Sequence, residues 1–184
     1  MKTHRFVTRS FLLVLVGTIS VGAPMSAFAE KSIEESATQV VNDLLVQQGA
    51  PVLQVLIARS RDDAVRAGVL PIPAEIRQHL VGFIPDVVLD AARYRVQGGD
   101  DLTLQVNAIR YGDTAAITLD HVIVFKKPED ALHNSKLWAH ELTHVAQYQR
   151  WGIHDFSVRY LRNFQAVEKE ANEAATRYAA GAGV

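Results

Sequence analysis

The most chemically suggestive stretch of this 184-residue chain is His140-Glu141-Leu142-Thr143-His144. Residues four apart on an α-helix project from nearly the same angle, so His140 and His144 can offer two imidazole nitrogens to one ion while Glu141 lies beside them. Such a pair, completed by a third protein ligand, suits Zn²⁺, which then keeps a position open for water and lowers that water's pKa to about 7. An adjacent carboxylate can take the proton and pass it on. The chemistry expected is metal-assisted hydrolysis, with Zn²⁺ as cofactor and Glu141 as general base.

The third ligand is sought on the last predicted helix, from about Gln165 to Ala180, which carries Glu168, Glu170 and Glu173. At about 100° per residue, Val167, Ala171, Ala174 and Tyr178 form its buried stripe, with Glu168 and Glu170 flanking it on opposite sides. Beside Glu168 lie Asn172, Ala175 and Ala179, small or neutral groups that let another element approach. Beside Glu170 lie Glu173 and Arg177, an expected solvent-facing ion pair. Glu168 is therefore the ligand candidate and Glu170 a surface residue. Asn172, one turn on, is placed to hydrogen-bond a ligating histidine. A donor for a developing oxyanion is sought among His154, Tyr148 and Tyr160, with Arg159 and His121 as further candidates. His79 and His133 have no motif around them, and the charges from Arg59 to Arg66 read as a solvated helix face.

The scaffold for these side chains can be read from the N-terminus. Lys2, Arg5 and Arg9, an apolar run from Phe11 to Ala23, and Ala27-Phe28-Ala29 as a cleavage site make residues 1–29 a secretory signal peptide. The product, Glu30 to Val184, is expected to be exported to a periplasm or beyond the cell, with no later membrane span. Residues 30–92 form an N-terminal helical segment. A capping box at Ser32-Ile33-Glu34-Glu35 starts one helix that ends at Gly49, Pro51 opens a second that runs toward Gly68, and Pro73 and Pro85 start the short helices Ala74 to Leu80 and Asp86 to Ala92. Residues 93–184 form the core, and 30–184 are expected to fold as one compact domain. From Arg93 the period becomes two: Tyr94 and Val96, Leu102 to Val106 after a Gly98-Gly99-Asp100 turn, Ala116 to Leu119, and His121 to Phe125. This predicts a small, mainly antiparallel sheet. Asn134 or Ser135 can cap the motif helix, Gly152 can stop it, and Asp155 can cap the next. Trp138, Leu142, Val145 and Ala146 face away from the histidines, toward the core.

His140-Glu-Leu-Thr-His144 followed by Glu168-Lys-Glu-Ala-Asn172 resembles the paired HExxH and ExxAD signatures of gluzincin-type metallopeptidases, which include CAAX prenyl proteases and membrane heat-shock proteases. The stretch from Ile123-Val-Phe125 through Leu137-Trp-Ala-His-Glu-Leu-Thr-His-Val-Ala-Gln147 is similar to a bacterial core domain associated with extracellular contractile injection systems. That similarity covers roughly Thr118 to Ala175. The resemblance implies His140, His144 and Glu168 as zinc ligands and Glu141 as general base. It also implies an α+β, zincin-like fold, with the sheet packed on an HExxH active-site helix, helices ahead of it and a C-terminal ligand-bearing helix. Asn172 departs from the pattern's aspartate; it can still accept a hydrogen bond from an imidazole but carries no charge.

Composition limits the alternatives. A formal net charge of −1, which becomes more acidic once the three leader cations are removed, gives no sign of a nucleic-acid surface, and no nucleic-acid partner is expected. With no cysteine, an exported domain cannot be a disulfide scaffold. The expected function is an exported zinc metallopeptidase acting on peptide or protein substrates, with a substrate strand pairing along a sheet edge at Val122 to Phe125. The alternative is a non-catalytic zinc-binding structural or partner-docking module of a secreted or injection-system-associated protein. A helical binding module without metal stands third. The substrate, the role of the N-terminal helices and the oligomeric state are not specified by the sequence.

Overall fold

The computed structural model describes residues 27–96 and 114–181. The expected signal peptide therefore falls largely outside the described residues, as do the strand from Leu102 to Val106 and the Gly98-Gly99-Asp100 turn. The chain divides into two compact units, Met1–Ala37 and Thr38–Val184. The order of elements is α1 (Ala27–Arg66), β1 (Leu70–Pro71), α2 (Ala74–Leu80), α3 (Asp86–Ala91), β2 (Arg93–Val96), β3 (Ala116–Leu119), β4 (Val122–Phe125), α4 (Pro128–His133) and α5 (Ser135–Gly181). This is a mixed α+β architecture.

The sheet runs in the order β1-β2-β4-β3. β1 pairs antiparallel with β2 and β3 antiparallel with β4, whereas β2 and β4 run parallel, Tyr94 opposite Ile123 and Val96 opposite Phe125. All four residues of β4 are buried. Alternation along the strand sends Ile123 and Phe125 into a cluster with Tyr94, Trp138, Leu142 and Val145, and Val122 and Val124 into a second with Leu119 and Ala64. A strand covered on both faces reads as an unbroken apolar run, which Val122-Ile-Val-Phe125 is. The expectation that this strand would be a free edge for substrate is corrected here: β4 lies between two neighbours, and among the described residues β3 stands at that margin of the sheet.

Two expected N-terminal helices are one. α1 continues through Gly49 and contains Pro51. The buried positions Val46, Ala50, Ile57, Ser60 and Ala64 recur at helical spacing on both sides of the proline. Packing of that continuous stripe outweighs the lost hydrogen bond, and the carbonyl Pro51 leaves unpaired belongs to Gln47, an exposed residue whose oxygen can meet water. Gly49 serves packing instead of termination: a Cβ there would lie 3.1 Å from Leu161 Cδ1. The span Thr38–Arg66 is long and apolar enough to cross a bilayer by length and composition, contrary to the expectation that no such segment follows the leader.

α2 and α3 begin directly after Pro73 and Pro85, whose fixed φ is preset for entry into a helix. Asn134 caps α5, its Oδ1 accepting from the Leu137 N–H at 3.0 Å. α5 is broken twice. Gly152 takes φ 73°, a conformation that favours glycine, and Asn163 takes φ −158° and ψ 76°. Three helical segments result, 135–151, 153–162 and 164–181. Asn163 Oδ1 caps the last by accepting from the Ala166 N–H at 3.0 Å. The first lies on the sheet through Trp138, fully buried, tilted against Phe125 at 4.8 Å and edge-on to Tyr94 at 5.4 Å, its indole N–H donating to the Ala131 carbonyl at 2.8 Å.

Trp138→Ala should therefore cost about 3–5 kcal/mol, since it empties the centre of the larger cluster. Urea unfolding checks this: the midpoint should fall with an unchanged m-value, and a midpoint within error of wild type would contradict the packing described.

Candidate metal centre

The site forms where the first and last segments of α5 meet. His140 and His144 project from the same face of segment 135–151, and their Nε2 atoms lie 3.1 Å apart. Glu168, on segment 164–181, directs one carboxylate oxygen to each ring: Oε2 lies 3.5 Å from His140 Nε2 and Oε1 3.6 Å from His144 Nε2. Ligand atoms of the three residues fall within 4.8 Å of one another. Ligands about 2.0–2.2 Å from a tetrahedral ion stand about 3.3–3.6 Å from each other, close to the separations found. Two neutral imidazole nitrogens aimed at one point repel unless a proton or a cation lies between them. This cluster could hold a metal ion, and its donor set suits a divalent cation that takes nitrogen and oxygen ligands.

The electrostatics agree with that geometry. Burial alone would raise the Glu168 pKa, but hydrogen bonds from His140 and His144, with their charge, outweigh it and hold the carboxyl at about 2. Burial likewise opposes a charged His144. The Glu168 hydrogen bond, the negative charges of Glu141 and Glu168, and the Gln147 hydrogen bond still raise its pKa. An anionic Glu168 thus sits against a His144 ring whose positive form is favoured.

Glu141 is only 4 % exposed, and its Oε2 accepts from the Thr118 hydroxyl at 2.6 Å. Thr118 stands on β3, on the same face as Ala116, so the strand's alternation turns its hydroxyl toward the helix. Glu141 lies outside the triangle of His140, His144 and Glu168 yet close enough for its charge to act on His144.

The remaining expectations divide. Asn172 is exposed, and its side chain is hydrogen-bonded to neither imidazole. His144 instead donates from Nδ1 to Gln147 Oε1 at 2.8 Å. Gln147, three positions on and wholly buried, reaches the ring from within the same segment, whereas Asn172 has turned toward solvent. Glu170 is half-exposed and bound to Arg150 at 2.9 Å and Gln147 at 3.0 Å, and Glu173 pairs with Lys169 at 3.8 Å, not with Arg177. Tyr160 is half-buried; burial, then the charges of Glu168 and Glu141, push its hydroxyl up to about 12. Tyr148 is buried and stacked on Phe156 at 3.8 Å, and its hydroxyl donates to the Thr118 carbonyl at 3.4 Å. His154 is exposed and paired with Asp155, Arg159 lies over the Trp151 ring, and His121 pairs with Asp120. The charges of Glu141 and Glu168 act on both Tyr148 and Tyr160; the Tyr148 hydroxyl is committed to the Thr118 carbonyl, which leaves Tyr160 as the candidate stabiliser. Thr118 and Gln147 carry no motif of their own in the sequence, although a polar residue three places after a ligand on a buried helix face is a usable signal.

Residues 71–152 match the family described as the eCIS core domain, less than half of the chain. The match includes His140, Glu141, His144 and Gln147 and ends before Glu168; it also crosses the boundary at residue 93 expected between the helical segment and the core. No curated protein matches the chain, and no solved structure does.

The coupled groups predict how the metal-free protein responds to pH. Glu168 has a folded pKa below its ordinary 4.5, so its contribution is present above 4.5 and is lost as pH falls toward about 2. His144 has a folded pKa above 6.5, so its contribution is present below 6.5 and is lost as pH rises through the folded value. Stability measured by urea midpoint should therefore decline on both sides of this window, and Glu168→Gln should flatten both limbs. Identical profiles for the two proteins would contradict the pairing.

Proposed function

We propose that this chain is an exported zinc-dependent peptidase associated with an injection system. The observation that carries the reading is Glu141: a carboxylate nearly removed from water, fixed by a threonine hydroxyl, beside a ligand set of which it is not a member. Burying an ionised carboxyl is costly, and a purely structural site would be closed by four ligands and have no use for it. Two imidazoles and one carboxylate are the three-ligand set of a catalytic zinc. A zinc ion held by them supplies Lewis-acid polarisation of a carbonyl and an acidified water.

The chain's own groups do the rest. Glu141, with one oxygen held by Thr118, accepts a proton and delivers it to the amide nitrogen that leaves. Tyr160, a phenol protonated at neutral pH with Glu168 and Glu141 in its surroundings, donates to the oxygen on which negative charge develops. Among the described residues β3 carries Thr118 at the margin of the sheet, and an extended peptide laid along that strand would pass beside Glu141. The substrate class is accordingly a peptide or an unfolded segment of a protein. A second reading, a metal-stabilised docking module without turnover, draws on the extent of the family match, which takes in the histidines but not Glu168.

Two substitutions test the first reading against the second. Glu141→Gln should reduce cleavage of a peptide library by at least about 10³-fold while zinc content stays near one equivalent. Tyr160→Phe should lower kcat by roughly 10²-fold with little change in KM. Equal inactivity of wild type and Glu141→Gln, with zinc bound to both, supports the docking module instead.

A further inference from the structure

Gln147 is wholly buried, and both polar atoms of its amide are hydrogen-bonded. Its Oε1 accepts from His144 Nδ1 at 2.8 Å; its Nε2 donates to the Val167 carbonyl at 3.1 Å and to Glu170 Oε2 at 3.0 Å. Val167 immediately precedes Glu168. One side chain on the first segment of α5 thus touches the ring of one candidate ligand and the backbone beside another, the two lying on different helical segments. Glu170 is itself held by two contacts from Arg150, at 2.9 and 3.0 Å, so the outer end of the chain of contacts is braced by an ion pair.

We propose that Gln147 is the positioning residue of the metal centre, fixing His144 through its Nδ1–H and Glu168 through the Val167 carbonyl at the same time. The inference rests on the metal-site reading above. Its physical basis is the amide's double character. A ring that gives its Nδ1 proton to an acceptor must present the Nε2 lone pair to the site, the form a metal needs. A carboxylate in place of the amide could accept that proton but could donate nothing to the Val167 carbonyl, and it would stand against Glu170 as a like charge. A lysine could donate but not accept. Glutamine does both without charge, and because each of its three polar contacts demands a particular atom, the amide has one satisfactory orientation. The same neutrality leaves the ligating imidazole less electron-rich than a carboxylate partner would.

Two variants separate the two tasks. Gln147→Leu removes all three polar contacts at similar volume. Gln147→Glu keeps an acceptor for His144 and loses both donors. Long-range proton–nitrogen NMR correlations of the metal-free proteins, recorded at alkaline pH where the imidazoles are neutral, report the His144 tautomer; competition with a chromogenic chelator reports zinc affinity. Wild type should show the Nδ1–H tautomer. Gln147→Leu should show a tautomer mixture and zinc affinity weaker by about 10–100-fold. Gln147→Glu should keep the wild-type tautomer but still lose zinc affinity, and adding Glu170→Gln should restore part of it by removing the like charge. A wild-type tautomer and wild-type zinc affinity in Gln147→Leu would overturn the proposal, as would an Nε2–H tautomer in the unsubstituted protein. If the wild-type protein takes up no zinc, the proposed function fails, and the tautomer comparison, which needs no metal, still decides whether Gln147 orients His144.

Discussion

Two imidazoles and a carboxylate lie within 4.8 Å of one another, and the surrounding chain is arranged to keep them there. None of these groups gains from leaving water alone, so their approach has to be enforced by the elements around them. The enforcement comes from α5 reversing on itself. Glycine at 152 takes a left-handed conformation and Asn163 leaves helical geometry while capping the last segment, so residues 164–181 return to the segment bearing the histidines. Without both interruptions a single rigid helix would carry Glu168 far beyond His144, since each residue adds about 1.5 Å.

Apolar packing fixes the frame against which this reversal is held. On the sheet side, Tyr94, Phe125 and Trp138 set the height of the motif segment above β2 and β4. On the other side, Tyr148, Phe156 and Tyr160 stack in series, and Ile57 of α1 and Val167 join them. His144 meets Phe156 of this second group edge-on at 6.3 Å. Polar contacts then refine the positions: Thr118 holds Glu141, and Gln147 ties His144 to the backbone beside Glu168. Hydrophobic burial supplies the stability of the frame, and a few directed hydrogen bonds supply its precision.

Much of this is legible in the residues. The i,i+4 spacing of His140 and His144, the choice of Glu168 over Glu170, the Asn134 cap, the Gly152 break and the starts of α2 and α3 after proline all obey local rules, and the structure brings His140, His144 and Glu168 together. The features that sequence reasoning misses depend on partners distant along the chain. Gly49 and Pro51 read as a helix boundary because local propensity says so, yet a buried stripe running past them keeps α1 whole. Val122 to Phe125 reads as an edge because nothing in a strand's own residues says how many neighbours it has; its lack of any polar alternation is the sign of burial on both faces. Spacing alone suggests Asn172 as the partner of a histidine, whereas the acceptor found, Gln147, lies nearer along the helix and inside the core.

The central claim is that one divalent ion is shared by His140, His144 and Glu168, and X-ray absorption at the zinc edge of the zinc-loaded protein tests it most directly. A shared ion gives a first shell of nitrogen and oxygen at about 2.0–2.1 Å, with multiple-scattering features of two imidazoles that diminish in His144→Ala and an oxygen contribution that changes in Glu168→Ala. A shell with no imidazole scattering, or a spectrum identical in all three proteins, would contradict it.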